Sequence, residues 1–404
     1  METMQPLSAR DARRTASFAY AGAAVALTGA QMISPALPVM QEELALSTTE
    51  LGLVMSVYLF PAAVFSIPAG FLADRLGRRR VFGTAFIGFG ICGLLLPLVS
   101  QWWYLLLAVR FLQGVMFAGL LPLSMTILGD VFSGPDLVAA QGKRSVAMSI
   151  GDGALPVIGG LAVAGGWFVP WLGQAIAIPF GIAVLAKVVD PVAVDRSHHP
   201  KQNREELAAL FKRGAIVALE YIGFLRMFLK FSILTFLPLL LVGVRDHSPA
   251  FAGAVVGVAA GAGMVVAINA GRLARIGQPA GWILIGTFVM GAALMGLVTM
   301  TAMPAIVASA ALYGAADGLM GVFTNSFVTS ATGAQLRASF VAITGAIRNL
   351  AKFSAPVVFG AVVAGLSVTD AFELLGMVTM ASALLAFALR PLQGSLSVEM
   401  ESSR

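Results

Sequence analysis

The chain has 404 residues, 58% of them hydrophobic and only 11% charged, with 44 glycines and a mean hydropathy of +0.88. That is too apolar for a water-soluble globule, and glycine-rich apolar sequence is typical of packed membrane helices. The net charge of +6 and isoelectric point near 9.8 do not call for a nucleic-acid partner, because most basic residues sit between apolar runs, where membrane topology explains them.

Runs long enough to cross a bilayer, about twenty residues each, can be cut twelve times. In chain order they cover 15–40, 50–73, 81–99, 103–128, 143–164, 167–187, 214–242, 250–271, 280–299, 303–324, 339–364 and 369–389. The first is about twenty-five residues long and is followed by more spans, which is unlike a cleaved signal peptide. The single cysteine, Cys92, lies within an apolar run and has no internal disulfide partner. Of the 26 lysines and arginines, twenty fall in the termini and in, or at the edges of, the loops after even-numbered spans, one (Arg245) in a loop on the other side, and five deep inside spans. By the positive-inside rule both termini are cytoplasmic, and the protein is a multi-pass component of the cytoplasmic membrane.

Between spans six and seven the longest polar stretch, 188–213, reads as a cytoplasmic linker between two bundles, 1–187 and 214–404. Leu207, Leu210 and Phe211 near its end suit either a surface helix or a plain solvated linker. Its His198 and His199 are adjacent, without further ligands nearby, so no metal site is expected. The halves echo one another: Pro38 and Pro238, Pro156 and Pro356, Gly114 and Gly314, and Gly160 and Gly360 are each 200 positions apart. A duplicated six-span unit follows, as in transporters whose repeats rock about a central site. The fold class is therefore an all-α membrane protein of twelve helices in two pseudo-symmetric six-helix bundles.

Residues 70–80, GFLADRLGRRR, concentrate charge in the short connection between spans two and three. A merely basic loop would explain the arginines but not the aspartate and the spaced glycines. Gly70, Leu72, Ala73, Asp74, Arg75, Gly77, Arg78 and Arg79 resemble the signature loop of the major facilitator superfamily, and GRLARIG (271–277) is a worn second copy without the acid. Gly70 would let a helix end approach its neighbour, and Gly77 would permit a tight turn. The resemblance implies that Asp74 sits at the N-terminus of span eleven and that Arg78 meets Asp130 at the end of span four, so that Gly70, Asp74, Gly77, Arg78 and Asp130 form a conformational latch favouring the outward-open state.

Two further stretches carry the same resemblance. RFLQGVMFAG (110–119) is similar to the family's span-four pattern at Arg110, Gln113, Gly114 and Ala118, which implies a part in proton transfer for Arg110. GDGALPVIGG (151–160) resembles the antiporter pattern of span five through Gly151, Pro156, Gly159 and Gly160, departing at Leu155. An ordinary small-residue packing face is the plain reading of the same residues.

Embedded charge completes the set: Asp152, Glu220, Arg226, Lys230, Asp317, Arg348 and Lys352. Buried acids make good proton carriers, and Asp317 and Asp152 come ahead of Glu220 because they lie deeper. Arg226 and Lys230 share one helical face, as do Arg348 and Lys352. The first pair, with Gln31 and Gln113, is expected at substrate, and the second pair at the interface of the halves. Span one holds only Gln31 where cation exporters of the family often carry an acid, so an anionic or zwitterionic metabolite, siderophore or antibiotic is the expected cargo, exported in exchange for protons. A symporter of sugars or organic acids shares the fold but gives no reason for the pattern at Pro156–Gly160. An embedded enzyme or scaffold is disfavoured, since no Ser/His/Asp, Cys/His or metal-spaced set occurs within the spans. The expected partners are the bilayer, protons and a small molecule, with no cofactor, and the working unit is expected to be a monomer.

Overall fold

A computed structural model describes residues 8–189, 211–330 and 334–385, and all regular structure within them is helical. Twelve helices are long and apolar enough to cross a membrane. Residues 190–210 of the expected linker, including His198 and His199, lie outside the described residues.

Span one is broken. Its first helix, Ala9–Val25, is capped by Ser8, whose Oγ accepts from the Asp11 N–H at 3.1 Å. It gives way to 3-10 turns at Ala26–Gly29 and Ser34–Ala36 before resuming as Leu37–Glu43. Gly29, Pro35 and Pro38 account for this, because glycine disfavours helix and proline lacks the N–H that would continue it. Span two, Thr48–Leu76, begins at a capping box made by Ser47 and Glu50. It ends at Gly77, whose φ of +92° is left-handed, and span three, Arg78–Val99, starts at the next residue. Spans four to six run over Trp103–Val131, Gly134–Ala162 and Val169–Lys187. Span seven, Gly214–Pro238, continues past its proline as a π-helix, Leu239–Val244. The remaining spans are Pro249–Ile276, Pro279–Thr299, Met303–Ser330, Ala334–Gly365 and Val368–Ser382.

The chain divides into two compact units, Met1–Arg196 with Leu241–Gly257, and Ser197–Leu240 with Val258–Arg404. Within the first, span three packs on spans four and six, and span one on span five. Within the second, span nine packs on spans ten and twelve, and span seven on span eleven. Each helix pair of one unit thus has its counterpart six spans on in the other. Gly114 and Gly314 make the correspondence atomic. A Cβ on Gly114 of span four would run into the Tyr58 carbonyl of span two, and one on Gly314 of span ten into the Ala259 carbonyl of span eight. Both glycines admit close backbone approach, which membrane helices use in place of a hydrophobic drive.

Candidate functional site

The break in span one leaves carbonyl groups without helical partners, which must be satisfied inside the protein. Arg110 of span four answers one of them. Its side chain is fully buried; Nη2 donates to Gly29 O at 3.0 Å, Nε to Val54 O at 3.0 Å and Nη1 to Gln113 Oε1 at 2.6 Å. The guanidinium carbon lies 4.2 Å from the ring centre of Tyr58 and 4.7 Å from that of Trp171. Gln113 Nε2 in turn donates to Phe89 O and to Gln174 Oε1, at 3.2 and 2.5 Å. One cation thereby ties together spans one, two, three, four and six, on neutral partners and aromatic faces. Proton transfer, expected of Arg110, has no carboxylate in this cage to act on. Gln113, expected at substrate, has no exposed surface, and both ends of its amide are hydrogen-bonded within the cage. Tyr58, Trp171 and Gln174 were missing from the expected site because none belongs to a motif.

Beside the break, Gln31 Nε2 donates to Asp152 Oδ1 of span five at 2.6 Å. The small residues of span five make this approach feasible. A Cβ on Gly159 would collide with the Met32 carbonyl, and one on Gly160 with that of Pro249. From the other side, Gly253 leaves room for the Pro156 carbonyl, and a Cβ on Gly151 would stand 3.1 Å from Leu27. Gly151, Pro156, Gly159 and Gly160 thus seat span five between the broken span one and the start of span eight, all within the first unit.

At the connection between spans two and three, Arg78 Nη2 lies 3.0 Å from Asp74 Oδ1, and Arg78 Nε contacts Asp130 Oδ2. The structure brings Asp74, Arg78 and Asp130 together with unequal burial: 58% of the Asp74 side chain is exposed but only 5% of Asp130. Gly77 makes the tight turn. Gly70 does not make the close approach expected of it, since an added Cβ meets no atom within 4 Å.

The second unit gathers the other charges. Arg226 of span seven pairs with Asp317 of span ten, Nε to Oδ1 at 2.7 Å, and Gly321 gives its guanidinium room. Six residues before Arg226, the buried Glu220 accepts from Thr344 Oγ1 of span eleven at 2.6 Å, and its Oε2 has no hydrogen-bond partner among the described residues. Arg348 donates to Asn325 Oδ1 at 2.5 Å and Lys352 to Asn349 Oδ1 at 3.1 Å. Arg226, expected with Lys230 at substrate, is thus paired with Asp317, the acid expected to carry protons. No group of three or more His, Cys, Asp or Glu suited to a metal ion occurs among the described residues.

This arrangement can be set against known proteins. The family model described as Major Facilitator Superfamily matches residues 19–356. The bacillibactin exporter of Bacillus subtilis (strain 168) is 32% identical over 149 residues, which cover 35% of this chain and 37% of that protein. The tetracenomycin C resistance and export protein of Streptomyces glaucescens is 30% identical over 155 residues, covering 38% and 28%. The matched segments span well under half of these relatives' own lengths. Among solved structures, an inward-facing, occupied bacterial homologue of the human lysosomal transporter Spinster matches 98% of both chains, with a TM-score of 0.77 at 14% identity. A D-xylose-proton symporter matches 92% of this chain and 96% of its own, with a TM-score of 0.74 at 15% identity. At such identities the likeness is one of fold.

Proposed function

Because this chain belongs to the Major Facilitator Superfamily, as a multi-pass transporter of the cell membrane and not an enzyme, we propose that it exports a small anionic or zwitterionic organic molecule in exchange for protons. Both termini are cytoplasmic in this reading, the chain acts as a monomer, and the six-span halves alternate access to the cargo. The observation that carries the reading is the Arg226–Asp317 pair, a buried cation held by an acid in span ten. A zwitterionic cargo sets its anionic group on Arg226 and its cationic group on the ionised Asp317, and a proton on Asp317 takes that second contact away, so proton and cargo exclude one another. Such competition for one acid couples opposed fluxes without a conduit for either ion. Export is favoured by the span-five seat at Gly151, Pro156, Gly159 and Gly160, and by relatives described as exporters of bacillibactin and tetracenomycin C. The Asp74–Arg78–Asp130 cluster serves as the latch, and Lys230, Arg348 and Lys352 set the positive field around the cargo.

The test is a metabolite comparison of cells with and without the protein, followed by transport in inverted vesicles. An anionic metabolite that accumulates inside the deletion strain, and enters inverted vesicles only against a proton gradient, is the expected result. Uptake by right-side-out cells together with protons would assign the chain to symport instead.

A further inference from the structure

Arg144 stands next to Lys143 at the start of the fifth apolar run. The structure places it inside span five, Gly134–Ala162, with its guanidinium turned onto span four: Nε donates to Ser124 Oγ at 2.7 Å and Nη2 to Leu121 O at 3.0 Å. Leu121 stands three helical turns from Arg110 and nearly in phase with it, so Arg144 reaches the inward face of span four that bears Arg110. On span five itself, Val146 and Ile150 are exposed apolar residues. Arg144 lies about 160° around the helix from Val146 and about 120° from Ile150, on the side that carries Gly151.

The state of this cation differs from that of Arg110 and Arg226. Arg110 is sealed in its cage and Arg226 is held by Asp317. Arg144 has only neutral partners, makes no ion pair among the described residues, and its Nη1 donates to none of them. Ser124 and the Leu121 carbonyl fix the plane of the fork without cancelling its charge. A guanidinium so held, with its outer nitrogen unspent, is shaped to receive an oxyanion in a bidentate or charge-assisted contact. An uncompensated cation in a membrane helix is costly unless something answers it.

We propose that Arg144 is the first unit's binding residue for the carboxylate or phosphate of a soluble organic anion, which is the cargo's charged group. The assignment rests on the transport reading above, and its test uses binding alone. The full chain is purified into phosphatidylcholine nanodiscs and titrated with benzoate and phenyl phosphate, with benzamide as neutral control and benzylammonium as cationic control. The wild type binds the two anions in preference to both controls. Arg144→Gln loses affinity for them by about tenfold or more, the equivalent of one charged hydrogen bond, and Arg144→Lys recovers part of it. In the unmutated protein, phenyl phosphate slows phenylglyoxal modification of Arg144, read by mass spectrometry, and benzamide does not; this arm stands even if Arg144→Gln fails to fold. Anion binding that survives in Arg144→Gln, with no protection of Arg144, overturns the assignment and leaves anion transport standing. A site that responds only when phosphatidylglycerol is added to the nanodisc belongs to a lipid headgroup and overturns it too. Preference of the wild type for benzylammonium overturns both this assignment and the anionic cargo.

Discussion

Arg226 Nε lies 2.7 Å from Asp317 Oδ1 and 3.1 Å from the Asp317 carbonyl oxygen, so one nitrogen of span seven is held by both the side chain and the backbone of span ten. The two side chains are 12% and 17% exposed, which makes their charges a mutual requirement. Neither can be read as a site by itself.

Removing one partner should therefore do more harm than removing both. Asp317→Asn leaves a largely buried guanidinium uncompensated, at a cost of about 3 kcal/mol, whereas Arg226→Gln with Asp317→Asn leaves no stranded charge. Unfolding of the purified variants should show the double variant more stable than Asp317→Asn. Strictly additive losses would show that the pair contributes no coupling.

Arg110→Lys keeps the charge and should still be strongly destabilising, by about 3 kcal/mol. The ammonium has no planar fork with which to reach Val54 O, Gly29 O and Gln113 Oε1 together. A lysine variant as stable as the parent but uncoupled from protons would return Arg110 to the proton-transfer role that its motif implied.

Much of this was legible in sequence, and the residues show why. Twelve apolar runs and the charge asymmetry fix the span count because a bilayer imposes length and apolarity on every crossing. The contact of Arg78 with Asp130 was legible through the resemblance of the loop to the family's signature, and not through spacing in the chain. The break in span one was not read, although Gly29, Pro35 and Pro38 announce it, because the run stays apolar throughout. Gln174 and Trp171 escaped because a buried partner carries no mark of its own in the chain. Span five begins at Gly134, about two and a half turns before the expected start at 143, so Arg144 sits deeper in the helix than its place in the apolar run suggests. The pairing of Arg226 with Asp317 joins residues 91 positions apart, which no helical spacing reveals.

Proton coupling should pass through the second unit. Asp317 shares its proton site with Arg226, while Glu220 has one oxygen on Thr344 and the other buried without a hydrogen bond. Glu220→Gln and Asp317→Asn should each abolish proton-driven accumulation in proteoliposomes, and Glu220→Gln should preserve cargo exchange. Retained accumulation in both variants would move coupling to Asp152.

At the latch, the two acids should differ in weight. Asp74 is mostly exposed, and its ion pair with Arg78 is worth less than about 1 kcal/mol. Asp130 is nearly buried against the same arginine, so Asp130→Asn should cost about 2 kcal/mol by weakening a charged hydrogen bond. Unfolding measurements should rank Asp130→Asn well below Asp74→Asn, while transport assays should find both slowed if the cluster sets the conformational balance. Equal stabilities would mean that burial at Asp130 carries no energetic consequence.

The glycines of span five offer the sharpest contrast, since two of them sit in one helix under opposite constraints. Gly159 faces the Met32 carbonyl at the span-one break, where an added Cβ has no room. Gly159→Ala must push span five away from Met32 and strain the Gln31–Asp152 contact about two turns along the same helix face, at about 1–3 kcal/mol. Gly142 is exposed and an added Cβ meets nothing within 4 Å, so Gly142→Ala removes only the excess freedom of glycine and should stabilise by about 0.5–1 kcal/mol. Thermal unfolding of the two variants in the same detergent should move in opposite directions. If Gly159→Ala proved neutral, the close seat of span five on the broken helix would not be a packing constraint, and the pattern at Gly151, Pro156, Gly159 and Gly160 would need another explanation.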